Sequence, residues 1–235
     1  MEIKVFRNIK EMQRESLNVK ILLYGDSGAG KTYASVTAPK PLVLLTERNG
    51  LVSIQHSNPD AVVAVASNAN EVRAIFQEVL KNGLKKWGCE TLVVDGLTEI
   101  QRMFKDEILE KSKKRLFSLQ NWGELTETMR KFMRMLRSID CSMVCTALSA
   151  YVQEEEVSRI LPAFEGQKTA QEISQYFSAV GFVYRKEEKT DKGSKYHHKI
   201  MFEGATRVLC KPCAPIKGIV DADLTEVFNM IKGSK

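Results

Sequence analysis

Gly25 and Gly30 bracket four residues and are followed at once by Lys31 and Thr32, with Gly28 as an extra bend between them. This is the spacing G-x-x-x-x-G-K-[ST], a phosphate-binding loop, and the residue types explain it. A backbone that wraps an anion with its N–H groups must come close to it, which residues lacking a Cβ allow. A helix starting near Gly30 turns its positive end to the same place. Lys31 supplies an ammonium for the terminal phosphates of a nucleotide. The Thr32 hydroxyl is a hard oxygen ligand of the kind Mg²⁺ accepts. Asp26, Ser27 and Ala29 within the loop, and Tyr33 just after it, complete the candidate nucleotide-binding set.

Two acids stand at the ends of apolar runs. Thr91–Asp95, TLVVD, ends in a carboxylate followed by Gly96 and looks like a Walker B strand, which makes Asp95 the candidate metal ligand beside Thr32. We expect its strand to neighbour the one that leads into the loop. Leu42–Thr46 ends in Glu47, and Ser142–Leu148 carries Thr146 near its end, where a polar residue can sense a γ-phosphate.

These residues need elements to hold them. Val19–Tyr24 reads as a buried strand and Lys31–Thr37 as the start of a helix that Pro39 and Pro41 stop. Leu42–Thr46 and the run AVVAVA are further strands, and Glu71–Leu80 is an amphipathic helix with Asn70 as its cap. Strands alternating with helices imply a parallel sheet with right-handed crossovers. From Leu97 to Leu136 two apolar stripes mark two helices, joined by a segment carrying Lys111, Lys113, Lys114 and Arg115. The stretch YVQEEEVSRILPAFEGQKTAQE reads as a loop at the rim of the site, with a short helix over Ala170–Gln175. Ser178–Lys186 and YHHKIMFE then form an antiparallel hairpin crowded with Arg185, Lys186, Lys189, Lys192, Lys195 and Lys199, offset by four acids. His197, His198, Cys210 and Cys213 hold a single C-x-x-C without a second spaced pair, which argues against zinc. A helix runs from Asp221 to Lys232.

At 235 residues and 43% hydrophobic, the chain can form a full core as one domain, with a lead-in over residues 1–18 and an extension over 205–235. Its net charge of +6 suits a polyanionic partner. No apolar stretch is long enough for a membrane span, and five cysteines, an odd number, fit a reducing compartment, so a soluble cytoplasmic protein is expected.

With ILLYGDSGAGKT, LVLLTE and TLVVD in hand, the chain resembles the phage nucleotide-binding proteins of the AAA/RecA-like P-loop class over roughly residues 18–205. Some members of that class are similar to phage single-strand annealing recombinases. The pattern includes the proline and glycine of LPAFEG and the strand SAVGFVYRK. The resemblance implies an α/β RecA-like fold, with a mostly parallel central sheet flanked by helices and an antiparallel C-terminal β-hairpin on the sheet edge. It implies Mg²⁺-dependent ATP hydrolysis on single-stranded DNA in phage recombination, annealing or replication, in the host cytoplasm. Glu47 takes the place of the base that orients the attacking water, with Glu99 next in line. Lys199, Arg207 and Lys211 are candidates for a cation reaching a neighbour's nucleotide in a homo-oligomer. Single-stranded DNA would meet Lys111, Lys113, Lys114, Arg115 and the hairpin basics, with Phe117 and Trp122 beside the first cluster. A single-strand DNA-binding protein is a further partner. A nucleoside or nucleotide kinase and a nucleotide-dependent protein switch are the alternatives to this reading.

Overall fold

Lys20–Gly25 (β1) is buried from end to end, and strands on both sides of it account for that. We describe residues 18–113, 116–154, 157–190, 193–204 and 206–232 in a computed structural model. Val62–Val65 (β3), Pro41–Leu45 (β2), Thr91–Asp95 (β4), Ser142–Glu154 (β5), β1 and Ala179–Thr190 (β7) lie side by side in that order, all parallel. Gly193–Met201 (β8) and Ile219–Asp221 (β9) continue the sheet beyond β7 as antiparallel strands, and Val157–Pro162 (β6) pairs antiparallel with the far half of β5. The fold is therefore a mostly parallel α/β sheet with an antiparallel hairpin at its C-terminal edge, consistent with a P-loop NTPase.

Alternation along the strands sends side chains to two cores. Leu22, Tyr24, Leu44, Leu92 and Cys145 face Ala69–Asn82 (α3), Leu97–Ser112 (α4) and Leu119–Ser138 (α5). Phe76, Phe104 and Phe132, one from each of these helices, meet edge to face at centroid distances of 5.3 Å. Ile21, Leu23, Val43, Leu45 and Val93 face the other layer, formed by Lys31–Ser35 (α1), Gly50–Ser57 (α2) and Leu224–Lys232 (α7). The short helix Gln167–Glu172 (α6) follows β6. Each fully buried leucine adds roughly 1.5–3 kcal/mol to this packing.

One buried cation serves the same layout. The Lys20 ammonium donates to the carbonyls of Leu136, Arg137 and Ile139, closing the C-terminal end of α5 against the start of β1. Burial pushes its pKa down.

Four expectations need correction. The Walker B strand does not neighbour β1, because β5 lies between them. YVQEEEVSRILP is not a loop. Its first part, to Glu154, continues β5 past the end of β1, and Val157–Pro162 folds back on it as β6, running from exposed at Val157 to buried at Leu161. The cap of α3 is Asn68, whose side chain accepts from Glu71 N at 3.0 Å while Glu71 accepts in return from Ser67 N at 2.7 Å. The last helix starts at Leu224 rather than Asp221, because Ile219–Asp221 is drawn into the sheet against β8. The expected lead-in at residues 1–17 lies outside the described residues.

Candidate nucleotide site

β1 delivers Gly25 to the carboxyl edge of the sheet, where the chain turns through Asp26–Gly30 and enters α1 at Lys31. Gly30 sits at φ 96° and Gly28 at φ 74°, left-handed conformations that side chains with a Cβ rarely adopt. Gly25 is required for a different reason. The β7 backbone passes so close that a Cβ there would strike the Val183 carbonyl. The Lys31 ammonium lies against its own loop, donating to the carbonyls of Gly25 at 2.9 Å and Asp26 at 2.7 Å. Burial lowers its pKa, and the nearby charges of Asp95, Asp26 and Glu47 oppose that shift.

Asp95 closes the far wall. The Thr32 hydroxyl donates to one of its oxygens at 2.8 Å and the Thr146 hydroxyl to the other at 2.5 Å. Burial raises the Asp95 pKa, and those two hydrogen bonds together with the Lys31 charge work against the rise. A buried carboxylate with a hydroxyl beside it, both hard oxygens, fits a divalent cation such as Mg²⁺, whose charge would offset the desolvation. Thr146 also accepts from Gly96 N at 2.9 Å, so its hydroxyl is committed to Asp95 and the turn after it. That placement makes Thr146 a positioning residue for Asp95 at the wall of the cleft.

Two hairpins grip the loop. Ser149 and Tyr151, on β5 beyond the end of β1, both donate to the Asp26 carboxylate, Tyr151 at 3.0 Å. On the other side His198 of β8 sets its Nδ1 at 2.8 Å from the Ala29 carbonyl. A carbonyl oxygen only accepts, so Nδ1 carries the hydrogen. Between these grips lies a cleft of about 410 Å³, lined by the loop, Tyr33, Glu47, Asp95, Glu99, Arg102, Thr146 and His198. That volume falls in the range of small-molecule sites.

A family model described as an AAA domain matches residues 17–211. The chain belongs to the AAA domain family. No curated protein matches it. The family and the fold together make this a P-loop NTPase-like protein, and the AAA assignment indicates a nucleotide-binding ATPase.

Within this AAA domain the sequence-derived residues Gly25–Tyr33, Glu47 and Asp95 converge around one edge of the sheet. Arg102 was not anticipated. It lies one turn beyond Glu99 on α4, paired with it at 3.1 Å, and α4's start directly after Asp95 is the signal that could have placed both at the cleft. Ser149, Tyr151 and His198 carried no local signal, since each reaches the loop from more than a hundred residues away. Of the cations considered for a neighbour's nucleotide, Lys199 pairs with Asp221 at 2.6 Å and Lys211 donates to the Ser174 and Phe177 carbonyls, while Arg207 is exposed. Lys114, Arg115 and Lys192 lie outside the described residues. Phe117 and Trp122 pack on each other at 4.8 Å and, partly buried, against the core, with the Lys105 ammonium over both rings. His197 pairs with Glu188, Cys210 is pushed up to about 11 by burial, and among the described residues no three His, Cys, Asp or Glu side chains are placed to hold a metal ion. Nor is any described helix long and apolar enough to cross a membrane.

Proposed function

We propose that this AAA domain binds and hydrolyses ATP with Mg²⁺ and that single-stranded DNA stimulates the hydrolysis. The observation that carries the first half is the 2.8 Å contact between Thr32 and Asp95 inside a cleft that also holds Lys31 and Glu47. It brings a loop hydroxyl, a buried carboxylate, a mobile ammonium and an acid at a strand end around one point. The loop backbone would bind the phosphates, and Lys31 would leave the Gly25 and Asp26 carbonyls to follow the terminal phosphate. Thr32 and Asp95 would hold Mg²⁺, which supplies neutralisation of charge on the phosphate oxygens. Glu47 would accept a hydrogen bond from the attacking water and orient it. Asp26, pinned by Ser149 and Tyr151, keeps the loop in shape.

The DNA half rests on the net charge and on the basic β7–β8 hairpin, one of whose residues, His198, touches the loop. The resemblance supports a homo-oligomer acting in phage recombination, annealing or replication. Phosphate release from Mg–ATP, measured with and without single-stranded DNA, tests the proposal. We expect release by the wild type, stimulation by DNA, and loss of turnover in a folded Lys31→Ala variant. Unchanged hydrolysis by Lys31→Ala would remove the P-loop reading. Transfer of phosphate to an added nucleoside would favour a kinase, and tight binding without turnover a nucleotide switch.

A further inference from the structure

The cleft has a chemical direction. Asp95, Thr32 and Glu47 mark the end that takes the metal and the terminal phosphate. The strand bearing Asp95 lies two positions from β1 on one side, and β8 lies two positions from β1 on the other. Each separation is about 10 Å at ordinary strand spacing. A triphosphate seated on Gly25–Thr32 with its last phosphate towards Asp95 and Glu47 therefore sends its nucleoside towards β8.

Two rings stand at that end. Tyr33 lies on a short helix whose next residues, Ala34 and Ser35, are buried, yet Tyr33 itself is 41% exposed and lines the cleft. Core packing does not account for it. The His198 ring lies 6.3 Å from the Tyr33 ring, with 29° between their planes. Its orientation is fixed by the hydrogen bond from Nδ1 to the Ala29 carbonyl. It also lies flat against the loop at Gly30, where a Cβ would come within 2.5 Å of Nδ1. The glycine that lets the loop approach phosphate thus also leaves room for an aromatic ring beside it.

We infer that Tyr33 and His198 form the seat of the nucleobase, a pair of ring faces that takes the flat heterocycle of a purine nucleotide while the loop holds its phosphates. The inference rests on the nucleotide-binding reading above. Stacking tolerates any base but is stronger on the larger purine ring. His198 belongs to the same hairpin as the exposed basic residues, so the base would rest on a strand from the C-terminal part of the chain, far in sequence from the loop.

Calorimetry with Mg–ATP and with Mg–tripolyphosphate, which has the phosphates but no base, separates the two ends of the cleft. The wild type should bind Mg–ATP the more tightly. Tyr33→Leu keeps an apolar side chain without a ring, and His198→Asn keeps an N–H donor for the Ala29 carbonyl without a ring. Each should weaken Mg–ATP about tenfold or more while leaving Mg–tripolyphosphate within about twofold, and Tyr33→Phe should stay near the wild type. Equal weakening of both ligands, or of neither, would overturn the base seat and leave the two residues a purely structural role. Lys31→Ala is the separate control. It should lose both ligands, and if it loses neither, the phosphate loop itself is misread and the base seat falls with it.

Discussion

Glu47 and Glu99 both line the cleft, and their surroundings separate their roles. Glu99 is occupied by Arg102 at 3.1 Å, whereas among the described residues no cation pairs with Glu47. A carboxylate free of a salt bridge is the better acceptor for a water proton, a role worth about 10²- to 10⁴-fold in rate. Glu47→Gln should therefore cut phosphate release by that factor with nucleotide binding retained, and Glu99→Gln should have a smaller effect. Steady-state hydrolysis beside a binding titration checks this, and a Glu47→Gln variant as fast as wild type would move the role elsewhere. Thr146→Val is a second case. It keeps the shape but leaves Gly96 N without its acceptor and Asp95 with one hydroxyl fewer. A loss of about 1 kcal/mol in denaturant unfolding should follow, since a part-buried donor loses its acceptor and a buried carboxylate loses a hydrogen bond. The local part of the site was legible because one window of eight residues encodes loop, ammonium and hydroxyl together. His198, Ser149 and Tyr151 were not, because their roles come from where two hairpins end in space.

At the scale of elements, α4 carries Thr98, Glu99 and Arg102 to the cleft and must itself be anchored. Arg73 of α3 donates to both oxygens of Glu107 on α4, at 2.9 and 2.5 Å, and its guanidinium lies 5.1 Å from the centre of the Phe104 ring. The hydrogen bond from Arg73 holds the Glu107 carboxyl below its ordinary value of 4.5. Because the folded value is the lower one, the unfolded chain takes up the proton first as pH falls. The stabilisation is complete above about pH 4.5 and is lost as the pH drops below it. Glu107→Gln should thus cost about 1 kcal/mol at neutral pH, with the gap to wild type closing under acid conditions. Unfolding curves across that range would show it, and a gap that widened in acid would refute the assignment. The strands were readable from the same apolar runs that fill the two cores. The β5–β6 hairpin was not, since β6 runs from exposed at Val157 to buried at Leu161 and so leaves no two-residue alternation to read. The cap is a similar case, with Asn70 expected and Asn68 found. Both can cap, and only the turn of the chain at Ser67 decides which one meets Glu71.

On the scale of the molecule, the question is where a polyanion would lie, and the placement of charge answers it better than the net value of +6. The last pairing of β1 with β7 is Tyr24 with Phe182, so the hairpin beyond that point projects past the loop's edge of the sheet. It exposes Arg185, Lys186, Lys189 and Lys195, with Tyr196 60% exposed and the Arg185 guanidinium 5.9 Å from the Tyr196 ring centre. At the end of α4, by contrast, Lys111 is already paired with Glu107 at 2.9 Å. Charges on the hairpin can reach phosphates and an exposed ring can stack a base, two residues along β8 from the histidine that touches the loop. Each phosphate contact on a single strand contributes about 0.7 to the slope of log affinity against log salt. Reversing Lys186, Lys189 and Lys195 to Glu should therefore weaken single-stranded DNA binding and flatten that slope by about 2, while Lys111→Glu with Lys113→Glu changes it less. Tyr196→Ala should weaken binding about fivefold or more without altering the slope, because stacking releases no counterions. DNA stimulation of phosphate release should fall with the hairpin variants while basal hydrolysis stays, since none of the three lysines enters the cleft. If the hairpin reversal leaves affinity and slope unchanged and the α4 pair flattens the slope instead, DNA is held at the end of α4, and contact with the loop through β8 is not the route by which it acts.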